Sequence, residues 1–509
     1  MENLAHGILA TPVAAVVETH PTYPTTPPYH PNALFPEYPF RDIAQAFTQE
    51  PNYVYAGVRE LFRVLGFDES RYGTPEWNPL STIISPGQTV LLKPNWVRNF
   101  HELGEETQSL ITHGSVIRAV LDYVYLALQG KGRVIIADSP QNDAVFSEIL
   151  RMSGIPEIQK FFKEHTQIDV EVYDLRLAYV HKIDGVLVRH DTLPGDPLGY
   201  AAIDLAKDSL FEPVSNKSLQ FRGAEYSLAE MQQHHGPGKH EYPLCRTILQ
   251  ADVLINLPKL KTHKKAGVTL SLKNMIGING NKNWLPHHTE GVPEEGGDQF
   301  ASNEVKNKVE RRLVQVFKEW YPHLGALRQP LAKPLKLLGK KIFGDTNTDR
   351  IRSGNWWGND TIWRTCLDLK RILLYADKQG TMCDTVQRNY LTIIDGIIGG
   401  EGNGPLAPKD KACGLLIASR NPVVADTVAT HIMGFDFRLV PIVSRAFDQN
   451  MRWPLTLIQP NAIKCVSNVS TWSGTLEELP WDKFMFEPHF GWVGHIRVGD
   501  KWEPSPVKQ

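Results

Sequence analysis

Four short apolar runs end in polar residues that could carry acid–base or anion chemistry. Residues 90–92 lead into Lys93-Pro94-Asn95, 134–137 into Asp138-Ser139, 252–257 into Pro258-Lys259, and 391–394 into Asp395-Gly396. Lysine supplies a point charge for phosphate or carboxylate, and asparagine offers both a donor and an acceptor. The densest group is Lys259, Lys261, His263, Lys264 and Lys265, with Lys273 and Asn274 following. Such clustering beside an apolar run suits an anionic ligand, although an exposed basic loop has the same composition. Thr112-His113-Gly114-Ser115 precedes a helix-spaced run, where free N–H groups and the helix dipole favour an anion. A cap formed by Thr112 or Ser115 is the commoner use of those residues. His113 and His263 are the candidates to move a proton. Asp138, Asp395 and Glu401 are the candidates for a base or for a divalent-cation site. Glu401 and Asn403 fall in the glycine-rich stretch 399–404, read as a loop whose backbone can approach a ligand closely. It has neither the G-K-[ST] nor the G-x-G-x-x-G spacing. Lys93, Asn95, Thr112, Ser139, Lys259, Lys261, Lys273, Asn274 and Asn403 complete the expected ligand-binding set.

These residues need a frame that brings the run ends together. Residues 115–128 and 142–152 show helical spacing and flank the apolar strand 133–137, and 414–419 leads into a helix over 422–433. Strand and helix alternating at these lengths predict an α/β fold, a mostly parallel sheet with crossover helices. In such a sheet ligands bind at the carboxyl ends of the strands, so the four segments converge if they share one sheet. A helix is expected over 267–276 and another over 361–376, and 20–40 is expected to lie over the surface as irregular chain. The expected organisation is a discontinuous core of 1–290 with 360–440, a basic helical insertion at 294–350, and a Trp- and Pro-rich extension at 441–509. Between 305 and 341 ten Lys or Arg face two Glu, which suits a solvated cover, a lid or a membrane-surface contact. Two indoles in 354–360, beside Asn and Asp, could form a platform for a ring or pack the insertion onto the core.

Composition limits the alternatives. A chain of 509 residues with 42% hydrophobic and 22% charged residues is globular, and its net charge of −2 gives no support to nucleic-acid binding. Five scattered cysteines, without a C-x-x-C pair, predict reduced and mostly buried thiols in a cytoplasmic protein. No run approaches a membrane span. Metal binding by His263, His287 and His288 lacks any fixed ligand spacing.

Taken in order, Lys93-Pro-Asn95, Thr112-His113, Asp138-Ser-Pro140, Asn256-Leu-Pro-Lys-Leu-Lys-Thr-His263, Leu272-Lys-Asn274, Asp395-Gly396 with 401–405, and Asn421-Pro422 with Ala425-Asp426 resemble the uncharacterised "domain of unknown function 362" family. The resemblance runs from about residue 13 to 434, interrupted at 20–50 and 294–350. It implies the site map and no reaction. Some members carry iron–sulfur cysteines; this chain lacks their spacing, so no such cluster is expected. The first expectation is an enzyme acting on a small anionic substrate, phosphorylated or carboxylated. The second is a non-catalytic binding or scaffold protein for an anionic ligand or lipid head group. The third is a metal-dependent redox or isomerising enzyme.

Overall fold

The computed structural model describes residues 7–183, 186–223, 228–304 and 350–501, with the single residues 307, 309, 313 and 506. Most of the basic insertion, including all but three residues of the stretch 305–341 read as a lid or membrane contact, therefore lies outside the described residues.

Eleven strands form one mixed, mostly parallel sheet. In chain order they are β1 (Val13–Glu18), β2 (Thr89–Pro94), β3 (Arg133–Asp138), β4 (Val170–Asp174), β5 (Val253–Leu257), β6 (Lys259–His263), β7 (Gly267–Thr269), β8 (Asn389–Asn403), β9 (Ala407–Ser419), β10 (Lys464–Ser467) and β11 (Gly474–Thr475). The spatial order is β11-β10-β1-β9-β8-β5-β2-β3-β4, and β6 pairs with both β7 and β8. Strands β8, β5, β2, β3 and β4 run parallel and almost in step: Val253 lies opposite both Val90 and Asn389, and Val90 opposite Val134. Their carboxyl ends therefore share one edge.

The strands read as near-continuous apolar runs because both faces of the sheet are covered. Leu91, Ile135, Leu254, Ile394 and Ile417 point into one core with α5 (Ile362–Tyr375) and α6 (Pro422–Ile432). Their neighbours Leu92, Ile136, Ile255, Ile393 and Leu416 point into the other, with α1 (Tyr53–Val64), α2 (Gly114–Leu128) and α4 (Ile155–His165). This is the two-residue alternation of a pleated strand between two helical layers. The short α3 (Phe146–Met152) begins four residues later than its apolar spacing predicts, because Gln141 and Ala144 form a turn first. The segment 441–501 supplies β10 and the edge strand β11, and β10 lies parallel to β1.

Three local expectations are corrected. The glycine-rich stretch 399–404 is not a free loop: it continues β8 as a hairpin arm against β9, with Glu401 opposite Lys409. The run 259–263 is not an exposed loop but strand β6, buried at every position. Residues 267–276 do not form a helix; they give β7 and then a 3₁₀ turn, Lys273–Ile278, because β7 pairs with β6. Residues 20–40 are irregular as expected, yet Tyr23, Tyr29, Tyr38 and Phe40 are buried. Among the described residues no helix is long and apolar enough to cross a membrane.

Candidate functional site

At the carboxyl edge, β2 ends in Lys93 and β3 in Asp138, on adjacent strands. The Lys93 ammonium donates to Asp138 Oδ1 at 2.8 Å, to Asn274 Oδ1 at 3.3 Å and to the Pro94 carbonyl at 3.2 Å. Asp138 also accepts from the backbone N–H groups of Trp96 and Ser139, each at 2.8 Å. Burial pulls the Lys93 ammonium down, and Asp138 opposes it. Asn95 Nδ2 donates to Asn274 Oδ1 at 3.0 Å, and Asn274 in turn donates to Asn256 Oδ1 at 2.7 Å. Asn95 Oδ1 is buried with no hydrogen-bond partner among the described residues. Lys282 closes the group by donating to the carbonyl and hydroxyl of Ser139, both at 2.8 Å. Gly277 is required here: a Cβ on it would lie 1.9 Å from Asp138 Oδ1 and 2.6 Å from Lys93 Nζ.

A second group surrounds Asp395 on β8. Its Oδ1 accepts from the Tyr23 hydroxyl at 2.5 Å, and its Oδ2 from Lys259 Nζ at 3.0 Å. Lys259 also donates to the Tyr23 oxygen at 2.5 Å. The His113 N–H, at the start of α2, donates to Asp395 Oδ2 at 3.0 Å. The helix terminus expected to attract an external anion thus holds the protein's own carboxylate. The His113 ring stacks on Tyr23 at 4.0 Å and caps the helix through Nδ1, which accepts from the Ser115 N–H at 3.2 Å. Burial lowers His113 to about 3, so its imidazole is neutral at neutral pH; burial and then Asp395 raise the Tyr23 hydroxyl.

The third group is cationic. Lys261 is fully buried, and its ammonium donates to the Leu110 carbonyl at 2.6 Å. Burial, then Lys259 and Lys273, push it well below the usual lysine range. His263 Nδ1 accepts from the N–H groups of Lys265 and Ala266, and burial followed by Lys273, Lys264, Lys265 and His287 lowers it strongly. Lys265 is lowered to about 7 by burial and Lys264, and Lys282 to about 8 by burial. Lys273 is lowered by burial, with Lys93 adding to the effect. Lys259, Lys261, His263, Lys264, Lys265, Lys273 and His287 therefore press on one another. Among the described residues, none of Lys261, Lys264, Lys265, Lys273 and Lys282 has a carboxylate within ion-pair distance. A buried surplus of like charge is unfavourable until a counter-charge arrives.

The structure brings most of the sequence-read residues to one edge, in these three groups. Lys259 and Lys261 were expected to face a pocket away from the core; both are fully buried, and Lys259 is spent on Asp395. Thr112 is structural: its hydroxyl donates to the Leu257 carbonyl at 2.6 Å and accepts from the Asn95 N–H at 2.9 Å. Glu401 lies farther along the hairpin, where it accepts from Lys411 at 2.7 Å and from the Glu487 N–H at 3.0 Å. Asn403 ends that arm opposite Ala407. The carboxylates read as a cation site are held apart, Asp138 by Lys93 and Asp395 by Lys259. Among the described residues no three His, Cys, Asp or Glu side chains converge as metal ligands, and His263, His287 and His288 are not such a group. Sequence reasoning missed Tyr23, which sits in a Pro- and Thr-rich stretch without a pattern. It also left out Lys282 and Asn256; Asn256, as the polar residue in the apolar strand β5, carried a readable signal. The five cysteines are free thiols, four of them buried.

Residues 195–431 match the family described as "Domain of unknown function (DUF362)", the family that the motif order resembles. A thylakoid-associated protein of Synechocystis sp. is 23% identical over 235 residues, which are 46% of this chain and 47% of that protein. A crystal structure of a Thermotoga maritima protein aligns with 68% of this chain and 52% of its own, at 10% identity and a TM-score of 0.26. The chain thus spans about half the length of each of these proteins.

Proposed function

We propose that this chain is an enzyme acting on a small anionic substrate, phosphorylated or carboxylated, at the carboxyl ends of β2, β3, β5 and β8. The observation that carries the reading is a cluster of positive side chains, the buried Lys261, Lys273 and Lys282 with the half-buried Lys264 and Lys265, none of which has a carboxylate within ion-pair distance among the described residues. Desolvated cations of this kind bind an anion far more strongly than exposed ones. Lys261 and Lys273 hold the anion, and Lys264 and Lys265 flank it. Proton handling falls to Tyr23, Asp395 and Lys259, which share short hydrogen bonds, and to the neutral His113 stacked on Tyr23. Asn95, with an unused buried carbonyl oxygen, orients a donor on the substrate. The free thiols fit a cytoplasmic setting.

Calorimetric titration of the full chain with inorganic phosphate and with succinate tests the binding half. Saturable, salt-sensitive binding of at least one is expected, and no binding of either at millimolar concentration overturns the proposal. For turnover, a panel of phosphorylated and carboxylated metabolites is followed by NMR. Conversion of a member, lost in Tyr23→Phe while its binding persists, is the expected result.

A second reading, binding of an anionic lipid head group without turnover, is favoured by the thylakoid association of the Synechocystis relative. Binding of phosphate with no conversion, together with flotation on anionic vesicles, would put this reading first.

A further inference from the structure

A cleft of about 280 Å³ lies away from the strand ends, and none of the three groups above lines it. It is walled by residues 357–363, which lead into α5, by 438–445, and by 495 and 501 near the end of the described chain. Two indoles contribute to it. Trp357 is half-buried and stacks on His495 with ring centroids 4.3 Å apart and planes at 16°. Trp363 is held in place because its indole N–H donates to Asp360 Oδ1 at 3.0 Å. Trp356, the other indole of the pair, donates to the Asp298 carbonyl and packs into the fold, so the two tryptophans of 354–360 divide between packing and cleft.

The charges around the cleft are unequal. Asp360 is neutralised by Arg364 at 2.8 Å, and Arg438 is neutralised by Asp436 at 2.6 Å. Arg445 and Lys501 are exposed, and among the described residues neither has a carboxylate within ion-pair distance. The Arg445 guanidinium carbon stands 5.9 Å from the centre of the Trp363 ring. Aromatic walls favour a flat ring, and a guanidinium with an ammonium favours an anionic group on the same molecule. The volume is near the lower end for small-molecule sites, which suits one ring system with one anionic group.

We propose that this cleft is a binding site for a planar aromatic anion, a heteroaromatic ring bearing a phosphate or a carboxylate. The half-buried Trp357 takes the ring, the buried Trp363, covered by Arg364 at 4.4 Å, backs the wall, and Arg445 and Lys501 take the charge. The site stands on different residues from the strand-end site and does not depend on that reading.

Titration of the full chain with adenosine 5′-monophosphate and with 2-naphthoate, read by tryptophan fluorescence and calorimetry, tests it. Adenosine and inorganic phosphate serve as the half-ligands, compared with the full ligands in Lys261→Met so that phosphate taken up at the strand-end site proposed above does not enter the comparison. Saturable binding of at least one full ligand is expected, with each half-ligand at least about tenfold weaker, since one charge-assisted contact or one ring stack contributes about 1.4 kcal/mol or more. The monophosphate arm and the naphthoate arm separate a phosphate from a carboxylate ligand. Arg445→Ala, an exposed substitution, should weaken binding at least about tenfold, and Trp357→Ala should remove the ring component. Lys261→Met should leave this affinity unchanged. Equal affinity for phosphate alone, no change in Arg445→Ala, or loss in Lys261→Met in place of Arg445→Ala would overturn the proposal. Should Trp357→Ala fail to fold, Trp357→Leu removes the indole face while keeping an apolar side chain there and supplies the same comparison.

Discussion

Replacing Lys261 by methionine separates a lysine kept for a ligand from one kept for the fold. The ammonium is fully buried on β6, and a backbone carbonyl, that of Leu110, receives its hydrogen bond. Methionine has a similar length and no charge. Removing the charge relieves its repulsion by Lys259 and Lys273 and the penalty of burying it. Apolar replacement of buried charge gains about 1–4 kcal/mol in comparable cases. Against this, the Leu110 carbonyl loses its donor, which costs about 1–3 kcal/mol. The two nearly cancel, so urea unfolding of the ligand-free protein should shift by less than about 2 kcal/mol. Anion affinity should change far more. Two unit charges about 4–6 Å apart at an effective dielectric of about 20 attract by about 3–4 kcal/mol, or about 100- to 1,000-fold in affinity. Calorimetric titration with inorganic phosphate or succinate measures that loss. A variant destabilised by more than about 3 kcal/mol that binds the anion as well as the parent refutes the reasoning, because Lys261 would then serve the fold.

The paired lysines should behave oppositely. Lys259→Met leaves Asp395 buried without its cation, and Lys93→Met does the same to Asp138, so each should cost about 3–5 kcal/mol in denaturant unfolding. Gly277→Ala forces a methyl onto the Lys93–Asp138 pair and should destabilise by about 2 kcal/mol or more; an unchanged unfolding midpoint would show that the 3₁₀ turn can move aside. Anion affinity should fall as pH rises from about 6 to 9, because Lys265 at about 7 and Lys282 at about 8 lose the protons that attract the ligand; a rise over that window counts against both as ligand cations. The same lysines titrate near 10.5 when unfolded, so between about 7 and 10.5 the unfolded chain binds more protons and ligand-free stability should climb with pH, a slope that bound phosphate should flatten. Tyr23→Phe removes one hydrogen bond to Asp395 while Lys259 remains, so thermal melting should move by no more than a few degrees.

The parallel sheet was legible because its strands are short apolar runs between polar punctuation, and the convergence of their ends follows from the parallel rule. Lys93, Asn95, Asp138 and Asp395 could be placed along that edge for that reason. The status of each residue was not legible. Composition cannot distinguish Lys259, tied to Asp395, from Lys261, which lacks a carboxylate, since the two are neighbours on one strand and differ in what lies opposite. The stretch around Glu401 reads as a loop because of glycines at 399, 400, 402 and 404, whereas pairing with β9 makes 399–403 a strand arm, with Gly402 at a φ of 73° and Gly404 in the turn that follows. The helix expected over 267–276 failed because pairing of β7 with β6 outweighed local helical spacing. Tyr23 was invisible: its place depends on β1 delivering the following residues to Asp395, a contact across 372 positions.

That last feature bears on how the molecule is made. Strand β1 is an interior strand of the sheet, and both its neighbours are encoded much later, β9 opposite Glu18 at Leu415 and β10 opposite Val13 at Lys464. At about 5–20 residues per second, synthesis needs roughly 20–80 s to produce the first of them. For that time the nascent chain carries Val-Ala-Ala-Val-Val with neither neighbouring strand made, and an unpaired apolar strand of this kind is open to association with other chains. The family-matched segment 195–431 contains β5 to β9 but not β1 to β4, so a fragment of those bounds leaves β9 without β1 and β5 without β2.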